Sequence, residues 1–124
     1  MTSVMPSLRT RLTTSFVERV DFPLLALNPR PDGIFGYNDP TAAGAMKAIL
    51  EAGIAIPDEI KVMGVGNVHY SDLLRVPLST IDQSSTAIGQ QAADMLIKSI
   101  GSKRKRAAKT VLIDPILVPR ESTR

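Results

Sequence analysis

Residues 34–65 constrain the fold of this chain more than any other stretch. A short apolar run, Ile34-Phe35-Gly36-Tyr37, stops at Asn38-Asp39-Pro40. A stripe at helical spacing follows, carried by Ala43, Met46, Ile49 and Leu50, and Gly53 ends it. Pro57-Asp58-Glu59 turns the chain, and a second mostly apolar run fills residues 60–65. Short continuous apolar runs on either side of one amphipathic helix are the pattern of a parallel sheet covered on both faces. The helix start has its own chemistry. Asp39 is the predicted N-cap, because a side-chain oxygen there can accept from a free N–H of the first turn. Pro40 is predicted at the first helical position, where its missing N–H costs nothing.

The flanking sequence extends the same order. Asn28-Pro29-Arg30-Pro31-Asp32-Gly33 is turn chemistry. Further upstream, Leu8, Leu12, Phe16 and Val20 at four-residue spacing predict a short helix over 7–20, limited by Pro23. Residues 66–77 read as a loop and 78–81 as a short strand or connector. Ser84 or Ser85 is the predicted cap of a second helix that carries Ile88, Ala92, Met95, Leu96 and Ile100 and ends at Gly101. Val111-Leu112-Ile113 and Ile116-Leu117-Val118 flank Asp114-Pro115 in a final strand-like segment. Strand, helix, strand, connector, helix, strand is an α/β order. Residues 1–23 form an N-terminal segment set apart from one unit over 24–124.

Composition narrows the function classes. With 124 residues, 44% of them hydrophobic and 22% charged, the chain reads as one globular domain. No run of about 18 apolar residues is present, so no transmembrane helix is expected. The absence of cysteine rules out disulfides and thiolate-held metals. The net charge of +3 is concentrated toward the two ends, which is weak support for a nucleic-acid partner. The first residues, MTSVMPSLRTRLTTSF, lack the basic start, apolar block and cleavage site of an export signal, so a cytoplasmic location is expected.

No enzyme constellation emerges. His69 is the only histidine, Asp58 and Glu59 are adjacent in a turn, and Gly64-Val65-Gly66 is not continued to a complete dinucleotide fingerprint. No catalytic residue, metal site or cofactor is expected. Lys103-Arg104-Lys105-Arg106 has no interleaved aromatic residue and reads as a solvated loop. Binding of a small polar solute is better supported. Ligands of open α/β sheets sit beyond the C-terminal strand ends. Three strand ends carry polar groups here: Tyr37-Asn38-Asp39, Gly66-Asn67 and Asp82-Gln83. From spacing alone, the alternative is that Asn38 and Asp39 only cap a helix and Gln83 only satisfies backbone groups.

Three blocks in fixed order carry a family resemblance: PDGIFGYNDPTAAGAMKAILEAGIAIPDEIKVMGVGN over 31–67, RVPLSTIDQ over 75–83, and LVPRESTR over 117–124. Together they resemble the sensor domain of the LacI/GalR family of bacterial transcription regulators. An Asn-Asp opening such a helix also occurs in periplasmic sugar-binding proteins, so the first block alone does not separate the two; the ending, with Arg120, Ser122 and Thr123, is similar to the regulator side. The resemblance implies a class I periplasmic-binding-protein-like fold, three-layered αβα, in which two lobes close on a sugar-like or nucleobase-like effector. It places residues 31–81 in the C-terminal lobe and the helix over 84–100 in the other lobe. It also implies that this chain is an incomplete portion, lacking a full cleft and the helix-turn-helix that would read operator DNA. The alternatives are a transport-type solute-binding protein or a truncated fragment without function. By matching position, Asn38 and Gln83 are expected effector contacts, Asp39 a capping neighbour, and Gly66 and Asn67 part of the same set. Many relatives have Asp where Gly66 stands; glycine there either opens room for a bulkier or acidic effector or serves an unusual turn. Ala43, Met46, Leu73 and Leu74 fall where relatives build a homodimer interface.

Overall fold

A computed structural model of the chain describes residues 23–102 and 107–124. The helix expected over 7–20 and the basic run at 103–106 lie outside the described residues. A 3-10 turn at Pro23–Ala26 precedes β1 (Gly33–Phe35), α1 (Asp39–Glu51), β2 (Lys61–Val65), β3 (Ser79–Asp82), α2 (Ser85–Ile100) and β4 (Ile116–Val118). A second 3-10 turn, Glu121–Thr123, follows. The four strands form one sheet in the order β1-β2-β3-β4. The first three run parallel, with Ile34 opposite Val62 and Met63 opposite Ser79. β4 runs antiparallel to β3, with Ile81 opposite Leu117 and Asp82 opposite Ile116.

β1 and β2 are each one residue shorter than the apolar runs that announce them. β1 stops at Phe35, although the Gly36 N–H still donates to the Met63 carbonyl at 2.8 Å. β3 instead runs one residue further than expected, to Asp82. Residues 111–113 form no strand, because β3 already has its partner in residues 116–118. They lie alongside α2, where Val111, Leu112 and Ile113 share a groove with Ile88, Ala92 and Met95.

The start of α1 corrects the expected cap. Asn38 is the N-cap: its backbone is extended and its Oδ1 accepts from the Thr41 N–H at 2.8 Å. Asp39 is the first helical residue and Pro40 the second. The reason is competition between two capable residues. The Asp39 carboxylate turns into the sheet, where its partners lie, and leaves the cap to its neighbour. The buried stripe is rotated accordingly: Ala42, Ala45, Met46 and Ile49 are buried, whereas Ala43 and Leu50 are only half-buried.

Helix α1 packs against β2 at very close range, and two glycines permit it. A Cβ on Gly36 would sit 2.9 Å from the Ala42 methyl group, and one on Gly64 would collide with Asp39 Oδ1. The core this approach encloses is aliphatic: Ala42, Met46, Ile49, Ile54, Ile56, Ile60, Val62 and Leu78. Each full burial of a Val, Leu or Ile side chain contributes about 1.5–3 kcal/mol. Helix α2 contrasts with this. None of its residues is buried, and Leu96, Ile97 and Ile100 point to solvent. Its N-cap, Ser84, is left-handed (φ 54°) and makes no side-chain capping bond.

Candidate functional site

Because β1, β2 and β3 are parallel, their C-terminal ends share one edge of the sheet. Asn38-Asp39 come three residues after the end of β1, Gly66-Asn67 directly follow β2, and Gln83 directly follows Asp82, the last residue of β3. β4 starts at the same edge, since Ile116 faces Asp82. The structure therefore brings together all five residues expected at the solute site. It divides them, however, between groups already engaged and groups that remain open.

Asp39 belongs to the engaged set. It is fully buried. Its Oδ2 accepts from the Val68 N–H at 3.0 Å and from Ser71 Oγ at 2.5 Å. Its Oδ1 accepts from Thr80 Oγ1 at 2.5 Å. A carboxylate withdrawn from water costs heavily unless it gains charge-assisted donors, and a place in the first turn of a helix favours it further. Asp39 thus ties α1 to the loop after β2 and to the middle of β3. It positions the strand ends, and its oxygens face inward.

Asn67 is engaged as well. Its backbone is left-handed (φ 47°), a conformation that asparagine tolerates better than most residues. Its N–H donates to Thr80 Oγ1 at 3.2 Å. Its Oδ1 accepts from Arg120 Nη2 at 2.8 Å, and its Nδ2 donates to Asp82 Oδ2 at 3.0 Å. Asp82 Oδ1 in turn accepts from the Ser84 N–H at 2.7 Å. The Asn67 bond first, and then the Ser84 bond, hold the Asp82 carboxyl below the ordinary carboxylate range, against a smaller opposing effect of burial.

Arg120 comes from the C-terminal segment, which is bound into the sheet. Its Nη1 donates to the Leu78 carbonyl at 2.8 Å, and its N–H donates to Ser79 Oγ at 2.7 Å. Ser122, fully buried, donates through Oγ to the Val62 carbonyl at 2.6 Å and accepts from the Ser79 N–H at 2.8 Å. Ser79 Oγ and Thr123 Oγ1 are 2.7 Å apart. Spacing does not assign these contacts. The available signal was the LVPRESTR block itself, which reads as a family ending rather than as part of the strand-end edge.

Gly66 has φ 124°, in a region that side chains rarely adopt, and its N–H donates to the Ile81 carbonyl at 2.8 Å. A Cβ there would have space, with Val68 Cγ1 at 3.7 Å as its nearest neighbour. Backbone conformation, not crowding, is what calls for glycine at this turn. The groups that remain open at the edge are the Asn38 amide nitrogen, the exposed Gln83 side chain and the exposed Tyr37. Amides and a phenol offer donors and acceptors without charge.

The residues expected at a dimer interface lie elsewhere, across the outer side of α1. Ala43, Met46 and Leu74 line a shallow groove with Lys47, Leu50 and Val76. Leu73 stands out beside it, 77% exposed, whereas Met46 is 3% exposed and forms the floor rather than a projecting contact. His69 is exposed and sits edge-on to Tyr70. Glu59 accepts from the Ala55 N–H at 2.7 Å and faces Arg30 at 3.8 Å, a turn-closing role. Among the described residues no group of three or more His, Cys, Asp or Glu could hold a metal ion, and no helix is long and apolar enough to cross a membrane.

Comparisons with known proteins agree on one lineage. Residues 5–123 match the model of the periplasmic binding protein-like domain, a match that begins within the segment 1–23. A curated relative, the HTH-type transcriptional repressor PurR of Mannheimia succiniciproducens, is 42% identical over 101 residues, covering 82% of this chain and 30% of the relative. The chain therefore spans about a third of that relative's length. A crystal structure of an uncharacterized protein from Actinobacillus succinogenes superposes with a TM-score of 0.75 at 37% identity, over 83% of this chain and 38% of the other. A LacI family transcriptional regulator from Arthrobacter sp. FB24, in complex with lactose, superposes with a TM-score of 0.68 at 30% identity, over 82% of this chain and 38% of that one.

Proposed function

The chain belongs to the periplasmic binding protein-like domain family, and from that premise we propose that it is the C-terminal part of the effector-sensing domain of a LacI/GalR-type transcription regulator. The observation that carries this reading is the shared edge of three parallel strands, with Asn38 and Gln83 presenting uncharged polar groups beyond it. Such an edge forms one wall of a cleft for a small polar solute, of sugar or nucleobase type. Asn38 and Gln83 contact the solute. Asp39 and Asn67 hold the strand ends in place. Gly66 shapes the turn between them. The second wall and the operator-reading head belong to further sequence of a longer regulator acting in the cytoplasm. A homodimer forms through the outer side of α1 with Leu73 and Leu74. The regulator reading is preferred over a transport protein because the curated relative is named as a repressor and the lactose-bound structure as a transcriptional regulator.

Calorimetric titration of the regulator containing this chain, against lactose and a panel of other neutral sugars and nucleobases, tests the reading. One solute binds, and Gln83→Ala weakens it by about tenfold without changing the melting temperature, the loss typical of one hydrogen bond to a buried ligand. Affinity unchanged by both Gln83→Ala and Asn38→Ala would place the solute elsewhere and overturn the assignment.

A further inference from the structure

The C-terminal segment lies close to the solute edge without contributing to the set of open groups. We propose that Arg120 is a positioning residue for that edge, acting through Asn67 and Asp82 on the point where the chain leaves the sheet for α2. Its bearing on solute binding rests on the function proposed above; the relay itself does not.

The observations form one continuous path. Arg120 follows β4, the strand by which the chain returns to the sheet. One arm of its guanidinium grips the Leu78 carbonyl just before β3, and the other grips Asn67 Oδ1 just beyond β2, both at 2.8 Å. Asn67 passes the constraint on through Nδ2 to Asp82, the last residue of β3. Asp82 holds the N–H of Ser84, the residue that turns the chain into α2. The outgoing crossing at 82–85 and the return after 116–118 are thereby joined across the sheet edge, with Asn67 between them.

Two features show that the path is specified rather than incidental. Asn67 and Ser84, the two residues it restrains, are the only non-glycine residues with positive φ among the described residues. Left-handed backbone costs free energy for a residue with a side chain, and it persists where surrounding bonds over-determine it. The planar fork of arginine is also what allows one side chain to hold two acceptors in fixed directions, a geometry that the point charge of lysine does not reproduce. Gln83 lies between Asp82 and Ser84. The relay therefore sets the direction in which an open group of the solute edge points, although Arg120 itself touches no solute.

Residue-resolved hydrogen exchange on this chain tests the relay without any ligand. Arg120→Met is expected to accelerate exchange of the Ser84 amide by about tenfold, the effect of losing a charge-assisted bond in the path. Core amides such as Ile49 and Val62 keep their rates. Arg120→Lys restores only part of the protection. Asn67→Gly accepts the same backbone conformation, cuts the path in its middle and gives the same Ser84 acceleration. Combining it with Arg120→Met adds nothing further, since both remove one path. Ser122→Ala loosens the same tail on its other side and leaves Ser84 unaffected. Uniform acceleration of all amides, or a Ser84 rate unchanged in both Arg120→Met and Asn67→Gly, would overturn the proposal. Titration of the regulator with lactose then reads the consequence. If lactose binds, Arg120→Met weakens it more than Ser122→Ala does; equal weakening rejects the positioning role. If lactose does not bind the natural regulator, lactose is excluded as its effector, while the exchange result still decides the relay.

Discussion

Two helices of this chain carry comparable apolar stripes and meet opposite fates. Helix α1 buries Ala42, Ala45, Met46 and Ile49 against the sheet, and α2 buries nothing. Leu96, Ile97 and Ile100 of α2 are exposed, as is Leu112 beside it. The difference lies in partners rather than in sequence quality. Glycines at 36 and 64 let α1 come down onto β2, whereas no residue of α2 is buried against any of the described strands. An amphipathic stripe states that a helix has a face to cover, but not what covers it. In the proposed regulator, α2 belongs with the second lobe.

Core truncations should separate the two helices most widely. Ile49→Ala and Leu78→Ala, both at fully buried positions, should each destabilise the chain by about 2–5 kcal/mol in urea unfolding. Leu96→Ala and Ile100→Ala should stay within about 0.5 kcal/mol. A cost at Leu96 equal to that at Leu78 would mean that α2 has a partner in solution.

Glycine substitutions in the two packing environments should act with opposite signs. Gly64→Ala drives a methyl group onto Asp39 and should destabilise by about 1–3 kcal/mol. Gly89→Ala, in α2, meets nothing within 4 Å and should stabilise by up to about 1 kcal/mol through helix propensity. Melting temperatures moving in the same direction for both would contradict the packing described.

The two caps differ by less. Asn38 makes a side-chain capping bond and Ser84 does not. Asn38→Ala should cost about 1 kcal/mol and Ser84→Ala less than about 0.5 kcal/mol, read from denaturant midpoints. Equal costs would show that the Ser84 hydroxyl, which donates to the Asp114 carbonyl at 3.4 Å, contributes as much to stability as the Asn38 cap.

The smallest expected effect concerns pH. The Asp82 carboxyl is depressed by bonds from Asn67 and the Ser84 N–H. A group whose folded value lies below its unfolded value contributes stability above the unfolded value, about 3.9 for aspartate. That contribution is lost as pH falls through the lower, folded value. Protection of the first turn of α2 should therefore decline only below about pH 4. Asp82→Asn should remove that step. In carbon-detected titration of Asp82, an ordinary midpoint would remove this contribution and a raised one would reverse its sign.

The α/β order, the parallel strand–helix–strand unit and the polar character of the three strand ends were all legible in the residues. These are local properties: hydrophobic period, turn residues and helix-start chemistry are written in neighbouring positions. The sequence also indicated the family, which the comparisons bear out. What it left open is whatever depends on a partner distant along the chain. Asn38 and Asp39 are equally able to cap a helix. Only the positions of Val68, Ser71 and Thr80, about 30–40 residues away, decide that Asp39 turns inward. Asn67 reads as a free polar group until Arg120, 53 positions later, occupies its oxygen. Residues 111–113 have the composition of a strand, yet β3 has one free edge and residues 116–118 take it. Each of these outcomes is a competition for a limited number of donors, acceptors or sheet edges. Such competitions are settled in space, where all the contenders are present at once.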